Sequence, residues 1–443
     1  MGSGIGLAAV RQSNTTQRLI MTLDKYSLGI GDRFGQEGVA QLRALQLAAE
    51  RGIHVTPVWN KSNREHIIIG SAPGDTRREA DDAVRAVGWK APYLVDADHI
   101  GLATVGKFLD SSDFFTIDVA DFIGVPSDPD AGSSFVKAMK RFQGEVAVPG
   151  IAAPMRVDST LVEKVARKYL GAVRAAGKVY REIERSQGTG TFVTEISFDE
   201  AEEPQSPAEL LLILGAISLE GIPVQTIAPK FSGAFLKGVD YVGDVPTFAR
   251  EFEEDVAVTA FAMNSFGLRP DLKLSIHSGS DKFSLYPLIR QVIRKFDAGL
   301  HLKTAGTTWL EELIGLAEAG GEGLRAARQI YADSRRRYDE LCKPYLSVVS
   351  IDMSRLPGVE DVNSWTGAEF AGALRHDRGN AMYNRDFRQL LHVGYKVAAE
   401  MGARFAALLQ EHRAVVERNV TENLYHRHLL PLYVGDDHTQ TRI

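Results

Sequence analysis

The chain has 443 residues, 44% hydrophobic and 24% charged, the balance of a folded chain in water. Its 51 Lys and Arg against 57 Asp and Glu leave a formal charge of −6, which argues against nucleic acid and anionic membranes as partners. One cysteine, Cys342, excludes an internal disulfide and a cysteine-rich zinc ribbon, and no apolar run nears the roughly 20 residues of a membrane helix. No basic signal-peptide start precedes Ile5–Val10, so a cytoplasmic location is expected.

Residues 1–20 read as a poorly ordered tail. Eight short runs rich in β-branched residues then follow: Tyr26–Phe34, Val55–Lys61, Pro92–Ile100, Phe114–Gly124, Gly190–Glu200, Pro223–Phe231, Leu272–Ser280 and Gly299–Thr307. Most lead into helical patterns, including Val39–Glu50, Arg77–Val87 and Thr104–Leu109. Ser206-Pro207-Ala208-Glu209 and Thr308-Trp309-Leu310-Glu311 have capping-box spacing at helix starts. Alternating strands and helices predict parallel βαβ units. Eight of them predict a (β/α)8 TIM-like barrel over 21–323, with an open doubly wound sheet as the alternative.

Two regions exceed that plan. Val125–Gly188 reads as a helical insertion, opening on PSDPDAG and carrying a periodic helix over Leu161–Ser186. From 324 to 443 the pattern is helical, over Leu324–Tyr338, Phe387–Gln410 and Val415–Leu430, and predicts a C-terminal extension packed on the barrel. Such an extension also suggests a homo-oligomer.

In a parallel barrel the chemistry lies at the carboxyl ends of the strands. A doubly buried strand reads as nearly continuous apolar residues, so charges near those ends call for a reason. They cluster there: Asp32-Arg33, Asn60-Lys61, Asp96 to His99, Asp118 and Asp121, Asp199-Glu200, Lys230, His277-Ser278, and His301 to Thr304. Alternation puts Leu272, Leu274 and Ile276 on one face and His277 on the other; Leu300 and Leu302 likewise oppose His301 and Lys303. His277 and His301 are thus expected to enter the mouth from neighbouring strands. With Asp199, Glu200 or Asp98 they suit one divalent metal ion, Mn, Ni, Zn or Co; two histidines bonding substrate directly is the alternative. Lys230 and Lys303 are candidates for a Schiff base or for stabilising a substrate oxyanion. Arg33 and Lys61 are placed to clamp a carboxylate, with Asp32, Ser278 and Thr304 as further substrate contacts.

Other motifs fail. Gly29-Ile30-Gly31 lacks the third glycine of a dinucleotide loop, since position 34 is Phe, and no NAD is expected. His426-Arg427-His428 reads as a helix-end cap, and His54, His66, His376, His412 and His438 as surface residues. Arg388 and His392, four apart on one helical face, read as structural, with closure over the mouth as the alternative.

GIGDRFG at Gly29–Gly35, DADHIG at Asp96–Gly101, TIAPKFSGAFLKGVDYVGD at Thr226–Asp244, LSIHSGSDKFSLYP at Leu274–Pro287, HLKTAGTTWLEE at His301–Glu312 and NVTENLYHRHLLPL at Asn419–Leu432 resemble the tagaturonate/fructuronate epimerase family. The resemblance spans about Tyr26 to Tyr433 and is weakest over Val125–Gly188. It implies a metal-dependent isomerase interconverting D-tagaturonate and D-fructuronate, with neutral fructose and tagatose as further substrates. The inverted carbon lies one beyond the carbon adjacent to the ketone, where enolisation gives no carbanion sink. Retro-aldol cleavage and re-addition avoids this, with Asp98 or His99 as base and Lys303 stabilising charge. A metal-dependent aldolase or aldose–ketose isomerase is the alternative reading, and a non-catalytic aldolase partner subunit a third.

Overall fold

The computed structural model of the protein describes residues 21–304 and 306–435. The tail over 1–20 and His438 lie outside the described residues. The described residues form ten strands: β1 Tyr26–Gly29, β2 Thr56–Ser62, β3 Leu94–Ile100, β4 Phe114–Asp118, β5 Gly144–Val146, β6 Met155–Val157, β7 Val193–Ser197, β8 Thr226–Ala228, β9 Lys273–His277 and β10 Leu300–Lys303. All but β5 and β6 pair in parallel, each with its neighbour in sequence, and β1 pairs with β10 to close the barrel. The eight sequence runs therefore each hold one barrel strand, and the closed alternative is the one realised.

Side-chain alternation sets which residues meet the helices and which fill the barrel. Leu274, Ile276, Leu300 and Leu302 face outward into the main core with Phe115, Ile117, Ile196 and Ile227. Inside, Val58, Leu94, Phe114 and Val193 form an apolar floor with Leu23. Above that floor the interior turns polar, which is what the broken apolar runs signalled.

Ser206 caps the helix Pro207–Glu220 through the expected box with Glu209. Thr308 caps nothing. Its helix starts one residue earlier, as Thr307–Ala319 with Gly306 at the cap, and Thr308 Oγ1 instead accepts from Gln41 Nε2 at 2.9 Å. Between β3 and β4 there is only a short turn, Val105–Lys107, in place of the expected helix.

Residues 125–188 hold two parts. The helix Ser159–Gln187, capped by Asp158, runs directly toward β7 and packs beside Pro207–Glu220, so it belongs to the ring around the barrel. The segment before it holds helix Pro129–Met139 and the β5–β6 hairpin. Gly171 lets this helix dock: a Cβ there would lie 2.1 Å from the Val125 carbonyl oxygen. Ala normally stabilises a helix by about 1 kcal/mol over Gly. Gly171→Ala is expected to reverse that sign and lower the melting temperature; an unchanged or higher value by calorimetry would show the contact is easily relaxed.

The C-terminal extension completes the barrel. Helix Thr307–Ala319 is buried through Ala317 and centres a second core with Ile330, Phe370, Phe387 and Val416. Its place in the outer ring is taken by the π-helical segment Asn423–Val434, which packs on both Gly38–Glu50 and Tyr286–Lys295. The stretch expected as one helix over Phe387–Gln410 is three, Arg385–Val393, Tyr395–Glu400 and Ala403–Glu411, broken at Gly394 and Gly402.

Candidate active site and metal centre

The polar mouth centres on Lys303. Its Nζ donates to Asp96 Oδ2 at 2.8 Å and Asp98 Oδ1 at 2.9 Å, lies 3.0 Å from Glu195 Oε1, and also donates to Thr116 Oγ1. Burial opposes every charge here, and the balance differs from group to group. Lys303 is held well above the usual lysine range because Asp96, Asp98 and Glu195 outweigh burial. Glu195 is held well below the carboxylate range by Lys303 and His277. Asp96 is pushed up to about 7, burial prevailing over Lys303.

Beside this lysine lie His99, Asp199 and His277, whose ligand atoms all fall within 4.8 Å of one another. His99 Nε2 lies 3.4 Å from Asp199 Oδ1, and His277 Nδ1 lies 3.1 Å from Asp199 Oδ2. His277 Nδ1 is buried yet makes no hydrogen bond despite that proximity. Each imidazole meets a second carboxylate through its other nitrogen: His277 Nε2 with Glu195 Oε1 at 2.7 Å, His99 Nδ1 with Asp98 Oδ1 at 3.1 Å. A carboxylate on the far nitrogen is the usual support of a metal-binding histidine, since it fixes the tautomer and aims the other nitrogen. The donor set N, N, O with open positions fits a divalent ion. Burial lowers both imidazoles, but Asp98 and Asp199 carry His99 well above its ordinary value, and Asp199 and Glu195 take His277 up to about 9.

A local backbone feature creates this arrangement. The β3–β4 register shifts between Ala97 and Ile100, and His99 has φ of 51°, in the left-handed region. One extra residue in the strand lets Asp98 and His99 both face the mouth, where strict alternation would separate them. A non-glycine residue held there is strained, a device common at functional sites.

His301 lies apart from this cluster. It does point inward, but His301 pairs with Ser275 while Lys303 pairs with His277, so His301 lies one layer down. There it is fully buried, bonded through Nδ1 to Ser27 Oγ at 2.8 Å, and pushed down to about 3 by burial. It is not among the clustered ligand atoms. Glu200 is exposed and also outside the cluster, so the structure separates it from Asp199.

Other candidates serve the loops. Asp32 accepts from the backbone of Phe34, Gly35 and Glu37. Ser278 Oγ donates to the Lys303 carbonyl and Thr304 Oγ1 to that of Gly29, tying strand ends. Lys61 is buried with Glu79 4.0 Å away. Lys230 is half-buried, with Gln205 bonded to its backbone. Arg33 is buried against Glu65 Oε1 at 3.2 Å.

Two histidines read as surface residues, His66 and His376, are buried, and so is His428, read as part of a helix-end cap. His66 bonds Ser71 and is lowered to about 4 by burial. His376 and His428 both reach Asp281 at 3.2 Å, so His428 belongs to a core ion cluster and is no simple helix cap. Arg388 joins them at 2.6 Å and is structural. Sequence reasoning missed Glu195, although a glutamate inside VTEIS breaks an apolar run and was a legible signal.

The comparisons with known proteins point to one family. The family described as UxaE: tagaturonate epimerase matches residues 9–430. A tagaturonate/fructuronate epimerase of Thermotoga maritima is 27% identical over 381 residues, covering 83% of this chain and 72% of its own. A glycerol-complexed crystal structure of the fructuronate-tagaturonate epimerase UxaE of Cohnella laeviribosi is 24% identical, covers 93% of this chain and 82% of its own, and superposes with a TM-score of 0.77. The native crystal structure of that enzyme gives 0.75 at the same identity and coverage. A family match along nearly the whole chain, on a closed barrel with a polar mouth, places this protein in the tagaturonate epimerase family, among the isomerases.

Proposed function

We propose that the protein interconverts D-tagaturonate and D-fructuronate with a divalent ion held by His99, Asp199 and His277. The observation that carries the metal is the double support: each imidazole turns one nitrogen to a buried carboxylate and the other toward Asp199. A bound ion would supply Lewis-acid polarisation of the substrate ketone.

The chain's own groups do the rest. Asp98, at the rim of the mouth, is kept ionised because Lys303 and His99 outweigh its burial, and it takes the proton of the β-hydroxyl. The bond between the α- and β-carbons breaks, leaving an aldehyde and an enediolate. Lys303 faces the developing negative charge and holds Asp98 in place. The aldehyde turns, the carbon–carbon bond re-forms on its other face, and Asp98 returns the proton to the new alkoxide. No electrons are gained or lost overall. His99, first considered as a base, serves better as a ligand because its Nε2 is directed at Asp199.

Metal-stripped protein is incubated with D-tagaturonate, Mn, Ni, Zn or Co is added, and products are followed by chromatography. Fructuronate is expected only with metal. Net release of an aldehyde fragment would move the assignment to an aldolase; equal conversion without metal would remove the ion from the reaction.

A further inference from the structure

Next to the mouth lies a second polar group that the chemistry above does not use. His392 is fully buried, and among the described residues neither ring nitrogen has a hydrogen-bond partner. Buried unpaired polar atoms of this kind are uncommon and costly unless a ligand or water meets them. The ring stands over Gly306: a Cβ there would lie 2.3 Å from His392 Nε2 and 3.1 Å from Arg33 Nη2. Gly306 is the cap of helix Thr307–Ala319, which no side chain caps. The unsatisfied N–H groups of a helix start favour an anion.

Two tyrosines build the other side. Arg33 lies 4.0 Å over the Tyr395 ring and Lys237 lies 5.3 Å over the Tyr345 ring. The tyrosine hydroxyls bond each other at 2.8 Å, so the two cations rest on one rigid pair. Arg64, also over Tyr345 at 5.2 Å, is exposed and marks the solvent side. Against these cations stand Glu65, already paired with Arg33, and the exposed Glu200, whose charge also reaches Lys237. Burial and Arg33 bring Lys237 down to about 8, and burial with Arg33 and Lys237 keeps His392 neutral. In both, burial and neighbouring cations outweigh the nearby carboxylates.

The group adjoins the reaction centre. Lys303 and Gly306 are three residues apart, so at most about 10 Å of chain separates them. Glu65 feels Arg33 on one side and Asp98 on the other.

We infer that Arg33, Lys237 and His392, at the start of helix Thr307–Ala319, hold the carboxylate end of the sugar acid. This rests on the hexuronate reading and goes past the Arg33 and Lys61 pair: Lys61 lies against Glu79, whereas Lys237 and His392 join Arg33. Arg33 Nη1 also donates to the His392 carbonyl at 3.0 Å, coupling the guanidinium to the helix that carries the histidine. The site therefore selects acid over neutral sugars.

The test is calorimetric binding to the metal-loaded protein of D-galactonate, which has no ketone or aldehyde and is not turned over, and of galactitol, its uncharged counterpart. Lys237→Met is expected to weaken D-galactonate about 10- to 100-fold and galactitol less than twofold. His392→Gln is expected to act in the same direction. Lys237 is only half-buried, so Lys237→Met keeps the test open if the histidine variant does not fold. Equal weakening of both probes, or none of either, overturns the inference. Galactose 6-phosphate bound more tightly than D-galactonate would overturn the carboxylate in favour of a phosphate. Wild-type protein that binds D-galactonate selectively but leaves D-tagaturonate unchanged would retain the subsite and lose the epimerase reading. Turnover with an unaltered ratio of KM values in Lys237→Met would do the reverse.

Discussion

His277→Ala is expected to strip the protein of its divalent ion and reduce turnover of D-tagaturonate by about 10^3-fold or more. His277 gives the cluster its most firmly supported nitrogen, with Glu195 2.7 Å from the opposite side of the ring. Removing it leaves two ligands, too few to hold an ion against dialysis. His301→Asn is the informative companion, because alternation alone assigns His301 to the same metal. With His301 a layer lower, bonded to Ser27 and 5.1 Å from the Phe114 ring, that variant should keep its metal and lose stability instead. Metal per chain after dialysis, by elemental analysis, and turnover by chromatography separate the two. Full metal in His277→Ala, or equal loss in both variants, would sink the proposed ligand set.

The comparison of these two histidines shows how far sequence carries. Period-two alternation put both inside the barrel, and both are inside. Alternation says nothing about height, which depends on the stagger between neighbouring strands. That stagger, Lys303 beside His277, appears only once β9 and β10 are paired. His99 was read as a base and not as a ligand for another reason. A strand read residue by residue turns it away from Asp98, and only the bulge with its left-handed backbone brings both to one side. The eight strands were legible because each is a short apolar run bounded by turn residues. The ring position of Asn423–Val434 was not, because a helix's periodicity shows that it has a buried face and not which helices that face meets. His392 shows the same limit. Its helical spacing from Arg388 was visible, but one residue enters a core ion cluster and the other reaches Gly306.

That core ion cluster carries the largest stability effect expected of a single side chain. Arg388 is fully buried and donates to Asp281 Oδ2, the Gly238 carbonyl and the Leu374 carbonyl, each at 2.6 Å. Asp281 follows β9, so the contact fastens the helix Arg385–Val393 to the barrel. Thr307, His376 and His428 meet the same carboxylate at 3.0–3.2 Å. Burial raises Asp281, yet Arg388 and the two histidines hold it well below the carboxylate range. Arg388→Met leaves a buried carboxylate without its strongest partner and two carbonyls unpaired, a change expected to cost about 3–5 kcal/mol in unfolding free energy. The pH dependence gives a second check. In the parent the depressed Asp281 contributes fully above its unfolded value near 4, and that contribution fades only as pH falls through the lower folded value. In the variant burial acts unopposed by the guanidinium and raises the same group. Its contribution is then complete below about 4 and fades as pH rises through the raised folded value. The gap between parent and variant should therefore narrow from pH 8 to pH 5 in denaturant titrations. A gap that is constant or widens toward acid would mean that His376 and His428 neutralise Asp281 without Arg388, and that the guanidinium acts through its two carbonyls alone.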